Sequence, residues 1–458
     1  MNILAVGAYE RDNFGDLLFL YMLRKILGDR ANIIPSSIIF ADMRAVNSEV
    51  ILPYDFLLKK YQFDGIITVG GEVGGVDIVG ALMMDISKNQ AERIIQNNQD
   101  LNRIVEFYTG ILQDSEKHAY IIDRTKYELN QHTPHILNSV GLSNIANLKG
   151  DFFENTKKIL SNSIISVRED KSQDFLKANN IDSEISPDIV HAINLFRKKQ
   201  KSSEKYIVFQ INNELIKNNQ YNYAQIAEKL AAISSVTKFD IKLFLAGVAE
   251  SHDNVNDYQQ ICQEFEKLNQ TQKISIVNNR NPLELVDCIS ASQMWIGTSL
   301  HGRIISAAYD VPRISLTNKK VSNYAQKWDE KMPYDVKIED LSSDICAEAL
   351  NSRVKIGEKL ANKAMKNFEK VFRKAKIKAK SDSKIDETSV FFEYIKYAQE
   401  EFMQVIENKN QFIQEISKDK DILSDENIYY QETIKQIKDS KIYKLGDMVS
   451  KIKSAPKN

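Results

Sequence analysis

A regular alternation of short apolar runs with longer segments of helical periodicity most constrains how this sequence can fold. One series begins with NILAVG at residues 2–7, and a second begins with YIVFQI at residues 206–211. A charged connector, RKKQKSSEK at residues 197–205, separates them. Strands that alternate with helices form parallel sheets covered by helices on both faces. The pattern therefore predicts an α/β protein with two Rossmann-like, doubly wound domains, residues 1–197 and 206–380, and a ligand site in the cleft between them.

The sequence changes character at about residue 381, where Gly and Pro become almost absent and long helical periodicity begins. We expect residues 381–458 to form a helical extension. Its last part, TIKQIKDSKIYKLGDMVSKIK at residues 433–453, spaces aliphatic side chains among lysines. A basic amphipathic segment suits a membrane surface or a partner helix. A helix packed on its own protein has the same pattern, so both interpretations stay open.

Composition excludes several classes of protein. The chain has 458 residues, which suggests two or three domains, and a formal net charge of −1, which gives no field to attract nucleic acid. The start lacks the basic region of a signal peptide, and no window approaches 18 uncharged apolar residues. The 3 cysteines show no metal-binding spacing and fit a reducing compartment. We expect a cytoplasmic protein, with peripheral attachment to the inner membrane face as an option, and neither nucleic acid nor metal.

The stretch MWIGTSLHGRIISAAYDVPRISL at residues 294–316 combines a strand, a polar loop, a short helix and a second strand. Its loop and helix start contain Ser299, His301 and Arg303. Open α/β sheets bind ligands just past the carboxyl ends of their strands. A titratable ring and a fixed cation at such a point suit an anionic ligand. The alternative is a histidine that is hydrogen-bonded within the fold and has only a structural role.

The first predicted strand leads into the polar loop AYERDNFGD at residues 8–16, which contains Asn13 and Asp16. This loop lacks the GxGxxG pattern, so the sequence does not support a dinucleotide-binding fingerprint. Asn13 and Asp16 lie at the carboxyl end of the strand, where they could contact a substrate. They could equally shape the turn and cap the following helix.

Further candidates follow other predicted strands. The strand in DGIITVGGEVGG runs straight into Gly70 and Gly71. Paired glycines let the backbone approach a ligand closely, but they also suit a tight crossover from strand to helix. Basic side chains at predicted strand ends are Arg168, Lys319 and Lys320. These cations could hold an anion, although Arg168 could pair with neighbouring acids and surface lysines are common.

Six motifs, in this order, resemble those of the polysaccharide pyruvyl transferase family. The resemblance covers roughly residues 1–330 and leaves out the helical extension. It implies two Rossmann-like halves arranged as in GT-B glycosyltransferases. It also implies an enzyme of cell-surface polysaccharide synthesis that moves the enolpyruvyl unit of phosphoenolpyruvate onto a saccharide as a ketal. The motifs are NFGD (13–16), DGIITVGGEVGG (64–75), SVRED (166–170), SPDIV (186–190), LFLAG (243–247) and GTSLHGRIISAAYDVPRISL (297–316).

The resemblance also implies roles for individual residues. His301 would supply or relay a proton, and Asp16 would accept the proton of the attacking sugar hydroxyl. The family often has Arg-Leu-His where this chain has Ser299-Leu300-His301, and Arg303 is the candidate to replace that cation. Phosphoenolpyruvate is the donor, a saccharide or lipid-linked saccharide is the acceptor, and no cofactor is expected. The residues expected to bind substrate are Asn13, Gly70, Gly71, Arg168, Ser299, Arg303, Lys319 and Lys320.

Two other functions fit the same features. A GT-B-type glycosyltransferase would use the histidine and the cations to hold the diphosphate of a nucleotide sugar. A non-catalytic scaffold subunit of polysaccharide assembly would be recruited through the helical extension. Stabilisation by a nucleotide but not by phosphoenolpyruvate would favour the first alternative. Binding of the extension to vesicles or to another chain, without any donor binding, would favour the second.

Overall fold

The structure is a computed structural model. It describes residues 1–84, 109, 118–218, 221–248, 253–269, 271–380, 383–416, 432–436, 438–440 and 444. Contacts within the chain define two compact units, Met1–Lys384 and Ile385–Asn458. The larger unit contains both sheets. The predicted amphipathic end, residues 433–453, lies mostly outside the described residues.

The first half of the larger unit is built on a sheet of eight strands among the described residues. Its strands are β1 (Asn2–Val6), β2 (Asn32–Ser37), β3 (Ala41–Met43), β4 (Glu49–Pro53), β5 (Gly65–Val69), β6 (His135–Val140), β7 (Ile164–Val167) and β8 (Ser183–Ile185). Their spatial order is β3-β4-β2-β1-β5-β6-β7-β8. Neighbours are parallel except for the edge strand β3, which runs antiparallel to β4. The apolar runs that predicted β1 and β5 are buried along their whole length, as expected for strands covered on both faces.

The second half is built on a smaller sheet that is parallel throughout its described strands. These strands are β9 (Tyr206–Gln210), β10 (Asp240–Leu243), β11 (Ile274–Ile276), β12 (Met294–Gly297) and β13 (Arg313–Ser315). Their spatial order is β11-β10-β9-β12-β13. The two sheets confirm the predicted α/β class with two Rossmann-like halves. The predicted division at residues 197–206 falls between them.

Helices connect the strands of both sheets, and polar caps fix where several of them begin. Asn13 caps the first helix, Asn222 forms a capping box with Gln225, and Pro282 occupies the first turn of another helix. The described helices are α1 (Phe14–Leu27), α2 (Arg44–Asn47), α3 (Tyr54–Lys60), α4 (Ile78–Met83), α5 (Gly150–Ser161), α6 (Asp170–Ala178), α7 (Asn213–Asn218), α8 (Tyr223–Thr237), α9 (Val255–Leu268), α10 (Pro282–Ala291), α11 (Leu300–Ala308), α12 (Lys319–Trp328), α13 (Ser343–Asn351), α14 (Gly357–Lys374) and α15 (Glu387–Ile416).

Helix α14 returns from the second half of the chain to the first. It packs against β6, β7 and the 3-10 segment Ile189–Leu195, and it buries Phe368 and Val371. The Asn367 side-chain amide donates a hydrogen bond to the Ser166 hydroxyl (3.0 Å). The prediction assigned these helical residues to the second domain. Their packing fastens the end of that segment to the first sheet, and the domain bounds themselves stay a prediction.

The smaller unit begins with α15, a helix of 30 residues. This helix confirms the predicted helical extension for the part of residues 381–458 that the structure describes. Among the described residues, none of the helices is both long and apolar enough to cross a membrane.

The order of the strands fixes where a ligand can bind. In the first sheet the strands that follow β1 are added on one side of it, and the strands that follow β5 are added on the opposite side. In the second sheet the order of strands reverses in the same way between β9 and β12. A crevice opens at such reversal points, outside the carboxyl ends of the strands. The loops after β1, β5, β9 and β12 are therefore the expected place for a site.

Candidate functional site

His301 lies in the first turn of α11, directly after the buried strand β12. The Ser299 hydroxyl caps this helix by accepting a hydrogen bond from the Gly302 amide (3.2 Å). The succession of strand, loop, helix and strand that was predicted for residues 294–316 is therefore confirmed. Because the cap fixes the start of the helix, the imidazole is held at the carboxyl end of the second sheet. Ser299 provides this cap, and its contact with a substrate stays a prediction.

The imidazole of His301 packs directly on the first turn of α1, which belongs to the other half. A Cβ added to Gly15 would overlap the ring, so this turn accommodates His301 only because residue 15 has no side chain. The Phe19 ring meets the imidazole edge to face, with centroids 5.1 Å apart. The N-termini of α1 and α11 therefore meet at His301, and both helix dipoles favour negative charge there.

Asp188 supports His301 from the buried side. Its Oδ2 lies 3.8 Å from His301 Nε2 and 2.9 Å from Arg168 Nη1. Its Oδ1 accepts a hydrogen bond from the Val190 amide (3.0 Å), and its own amide donates to the Tyr324 hydroxyl (2.9 Å). Burial alone would raise the pKa of Asp188, but His301 and Arg168 outweigh it and hold that pKa well below its usual value. The result is a fixed anion beside the imidazole.

Arg168 follows β7 and is almost completely buried. Burial disfavours its charge, but Asp188, Glu72 and Glu169 outweigh this effect and raise its pKa. Nη1 is bound to Asp188, whereas Nη2 is buried without a hydrogen-bond partner among the described residues. A guanidinium with one unmatched, desolvated nitrogen can bind an oxyanion strongly, because charged hydrogen bonds gain strength away from water.

Lys320 interacts electrostatically with both Arg168 and Asp16. Lys320 retains exposed surface, yet desolvation by neighbouring atoms and the charge of Arg168 lower the pKa of its ammonium, while Glu72 and Asp16 oppose them. Burial likewise raises the pKa of Glu72, against the nearby charges of Arg168 and Lys320. The ammonium of Lys320 therefore lies within electrostatic range of Arg168, Glu72, Asp16 and Glu169 at this edge of the cleft. Lys319 is exposed and takes no part in these interactions among the described residues.

The loop after β1 joins the two halves. Asn13 caps α1, with its Oδ1 accepting from the Gly15 amide (3.1 Å), and it forms a bridge with Gly247. The Phe14 amide donates to the Ala246 carbonyl (2.8 Å). Asp12 forms two hydrogen bonds with Arg280 (2.8 and 2.7 Å). The capping role considered for Asn13 is present, and the loop also sets how α1 approaches His301.

Gly70 and Gly71 both have positive φ angles, +62° and +74°. A Cβ on Gly70 would overlap the Phe19 ring, and Phe19 in turn touches His301. The Gly71 carbonyl accepts a hydrogen bond from the Gly141 amide (2.8 Å). The pair therefore makes the tight turn after β5 that was one of its two predicted uses, and it leaves room for the aromatic ring behind His301. Direct contact with a ligand stays a prediction.

The structure does not bring the Arg303 guanidinium to the cluster that His301, Asp188 and Arg168 form. Its Nη1 donates to the Ser315 hydroxyl and the Pro333 carbonyl, both at 2.9 Å. Its Nη2 donates to the carbonyls of Asp329 (2.9 Å) and Met332 (3.0 Å), and its Nε lies 2.8 Å from the Asp329 carboxylate. These contacts use all the Nη hydrogens inside the second half. The expectation that Arg303 replaces the missing cation needs correction: its guanidinium holds the segment that follows α12.

Two acids of the site, Asp188 and Glu72, were not among the sequence candidates. Asp188 lies in SPDIV and Glu72 in DGIITVGGEVGG, so both belong to motifs already noted. An acid directly after a strand, within such a motif, is the signal that could have identified them. In the part of the chain that the structure describes, no group of three or more His, Cys, Asp or Glu side chains could hold a metal ion.

Solved structures with a similar fold are distant in sequence. The UDP-GlcNAc 2-epimerase from Methanocaldococcus jannaschii has a TM-score of 0.51 at 11% identity, over 81% of this chain and 100% of that chain. The UDP-GlcNAc 2-epimerase from Neisseria meningitidis, solved with UDP-GlcNAc, has a TM-score of 0.46 at 10% identity, over 82% and 100%. The likeness to the archaeal protein agrees with the strand orders above. The predicted GT-B-like arrangement is confirmed.

Comparison of sequences adds the family. No curated protein matches the chain. The family model described as Polysaccharide pyruvyl transferase matches residues 13–320. This range runs from the cap of α1 to Lys320, and it includes Arg168, Asp188 and His301. The match covers well over half of the chain. The protein belongs to the polysaccharide pyruvyl transferase family and is an enzyme of that kind.

Proposed function

We propose that this protein transfers the pyruvyl group of phosphoenolpyruvate to a saccharide and forms a ketal. The observation that carries the proposal is the position of His301 at the meeting point of two helix N-termini. Arg168, which shares Asp188 with His301, and Lys320 add positive charge at the same edge. Phosphoenolpyruvate carries a phosphate and a carboxylate, and helix N-termini and fixed cations favour both groups.

The transfer requires one proton to be delivered and two hydroxyl protons to be removed. His301 protonates the methylene carbon of phosphoenolpyruvate, and C2 becomes a cation stabilised by its oxygen. A first sugar hydroxyl bonds to C2 and gives its proton to Asp16. The bond from C2 to the phosphate oxygen then breaks, a second hydroxyl bonds to C2, and the proton of that hydroxyl passes to the departing phosphate. Return of the proton held by Asp16 to His301 restores both side chains. The products are the ketal and hydrogen phosphate, so the atoms and charges balance without an external oxidant or reductant.

Asp188 and Arg168 suit the two ends of this reaction. An ionised carboxylate beside the imidazole stabilises the protonated ring before proton transfer. The unmatched Nη2 of Arg168 is a donor for the leaving phosphate, where negative charge increases as the bond breaks. Both groups are buried, so their charges are only weakly screened by water.

The first test measures phosphate release from phosphoenolpyruvate with a panel of saccharide and lipid-linked saccharide acceptors. We expect His301→Ala to lower kcat by about 10²- to 10⁴-fold, the usual contribution of a general acid. His132→Ala is the matched control, because His132 is exposed and lies outside the cluster, and it should retain wild-type kcat. Both variants are first checked for an unchanged melting temperature.

The same preparation separates the proposal from its alternatives. Thermal stabilisation by phosphoenolpyruvate, lost in His301→Ala or Arg168→Met, would agree with the donor proposed. Stabilisation by UDP or GDP but not by phosphoenolpyruvate would overturn it in favour of a nucleotide-sugar donor. Stabilisation by neither donor, together with no phosphate release from any acceptor, would also count against it.

Two neighbouring lysines provide a test of donor binding. We expect Lys320→Ala to raise KM for phosphoenolpyruvate about tenfold, the scale of one charge-assisted hydrogen bond, because its ammonium lies near Arg168, Glu72 and Asp16. Lys319→Ala should change KM less than about twofold, because the charge of Lys319 acts on neither Arg168 nor Glu72. Steady-state kinetics at fixed ionic strength measure both. Equal effects of the two substitutions would mean that Lys320 acts only through the general charge of the surface.

A further inference from the structure

One buried carboxylate, that of Asp253, links the end of β9 to the loop after β10 in the second sheet. Its side chain is nearly inaccessible to water. Oδ1 accepts a hydrogen bond from Gln210 Nε2 (2.8 Å), at the end of β9. Oδ2 accepts one from the Ala246 amide (2.6 Å), in the loop after β10. Asp253 therefore begins two separate hydrogen-bonded connections, which we call its arms: the first arm runs through Gln210 and the second through Ala246.

The first arm leads to the loop that carries His301. Gln210 Oε1 accepts hydrogen bonds from both the Thr298 amide and the Thr298 hydroxyl, each at 3.0 Å. A side-chain amide has one donor end and one acceptor end. Because the carboxylate of Asp253 takes the donor end, the acceptor end must face Thr298. Thr298 directly precedes Ser299, the cap of α11, so the carboxylate fixes where the His301 helix begins.

The second arm leads to the other side of the imidazole. The Ala246 carbonyl accepts a hydrogen bond from the Phe14 amide (2.8 Å), and Gly247 forms a bridge with Asn13. Phe14 is followed by Gly15, on which the imidazole of His301 rests. Asp253 is thus connected to α11 on one side of His301 and to α1 on the other.

Burial makes the ionisation of Asp253 sensitive to pH near neutrality. Burial raises its pKa to about 7, against its two hydrogen bonds and the charge of Arg280. Among the described residues, the hydroxyl of Tyr258 on α9 also interacts with Asp253, and this hydroxyl is itself hydrogen-bonded to Ile211 and Phe244. A protonated carboxyl has one oxygen that carries hydrogen, and this oxygen is a poorer acceptor. Protonation therefore weakens one of the two arms.

We propose that Asp253 is a positioning residue, whose carboxylate holds His301 in place through Gln210 and Thr298 on one side and through Ala246 and Phe14 on the other. The proposal rests on the transfer reaction proposed above, in which His301 delivers the proton. Asp253 itself does not touch the substrate in this account. It acts through the two loops that enclose the imidazole.

The kinetic test compares Asp253→Asn with Asp240→Asn. Asp240 also accepts a backbone hydrogen bond, from Lys273 (2.8 Å), but in the strand β10 and away from both arms.

Wild-type kcat is expected to fall as the pH is lowered through 7, because protonation weakens one arm. Asp253→Asn should lower kcat at pH 8 about 10- to 100-fold, the scale of a small misplacement of a catalytic group, with little change in KM, and should lose this acidic limb. Asp240→Asn should match the wild type. An Asp253→Asn profile that is only scaled down, with the acidic limb kept, would overturn the proposal.

Hydrogen exchange of the unliganded protein tests the same arms without any activity, so it stands even if the proposed reaction fails. At one fixed pH, Asp253→Asn should speed amide exchange in two peptides, residues 294–304 and residues 10–16. Gln210→Ala cuts only the first arm and should affect residues 294–304 alone. Gln210→Ala also tests the first arm if Asp253→Asn does not fold. Unchanged exchange in both peptides, or equal changes in Asp240→Asn, would overturn the proposal.

Discussion

Replacing Gly15 with alanine is expected to lower kcat by about 100-fold, because the added methyl group would occupy the space of the His301 ring. The ring cannot move away easily, since it also contacts Phe19, and its Nε2 lies 3.8 Å from the buried Asp188 Oδ2. We also expect the free energy of unfolding to fall by about 1–3 kcal/mol, as in other overpacked sites. The loss would occur although alanine favours a helix over glycine by about 1 kcal/mol. Chemical denaturation and phosphate release measure the two effects.

A double-mutant cycle with His301→Ala shows whether the cost comes from this contact. Removing the imidazole frees the space that the methyl group needs, so Gly15→Ala should then be neutral or slightly stabilising. The coupling free energy between the two substitutions should reach about 2 kcal/mol, within the range for residues in direct contact. The same cost in both backgrounds would contradict the contact between α1 and His301.

Replacing Asp188 with asparagine is expected to lower the free energy of unfolding by about 3–5 kcal/mol, the usual cost of removing one partner from a buried ion pair. The substitution keeps the shape of the side chain but leaves the charge of Arg168 buried without its counter-ion. It also removes the anion 3.8 Å from His301 Nε2, so kcat should fall as well. Urea denaturation at neutral pH measures the loss of stability.

Two controls identify the source of that loss. Asp42→Asn removes a carboxylate from an exposed pair with Arg44, and it should change the free energy of unfolding little. Asp188→Asn combined with Arg168→Met removes both buried charges and should recover much of the stability. If the double variant is as unstable as Asp188→Asn, the lost stability does not come from an unpaired charge.

The cost of Asp188→Asn should also depend on pH in a defined direction. Burial opposes ionisation of Asp188, but His301 and Arg168 lower its pKa in the folded state. A carboxyl with a lowered folded pKa stabilises the fold above its unfolded pKa of about 4, and this contribution is lost as the pH falls further. The difference between wild type and Asp188→Asn should therefore be present at neutral pH and shrink as the pH falls below about 4.

The sequence supports the prediction of local structure well, because periodicity and caps act over a few residues. The run MWIG and the polar residues after it predict β12 and the start of α11, and the cap at Ser299 forms as the sequence suggests. In the loop after β1 a cap was expected at Asp16, but the cap of α1 is Asn13, and Asp16 lies in the first turn of the helix. Antiparallel pairing of β3 at the sheet edge and the return of α14 to the first sheet were not predicted. Both depend on contacts between segments that the sequence pattern does not connect.

The residues of the candidate site also fall into two groups, those that local sequence patterns could identify and those whose role depends on tertiary contacts. His301 and Arg168 could be selected because each follows a predicted strand. Arg303 could be selected on the same ground, but residues two apart on a helix point to different faces, and only the fold shows that its donors are used within the second half. Asp188 was missed because its importance comes from Arg168 and His301, which lie 20 and 113 residues away along the chain.

The sequence by itself determined the α/β class, the two series of strands and helices, and the strand ends that carry the histidine and the cations. These features follow from hydrophobic periodicity and from capping, which are local. Only the tertiary structure decided that Gly15 lies against His301, that Asp188 pairs with Arg168, and that Arg303 is fully used elsewhere. The physical reason is that burial, ion pairing and close packing depend on which distant segments meet, and a single sequence pattern does not specify that meeting.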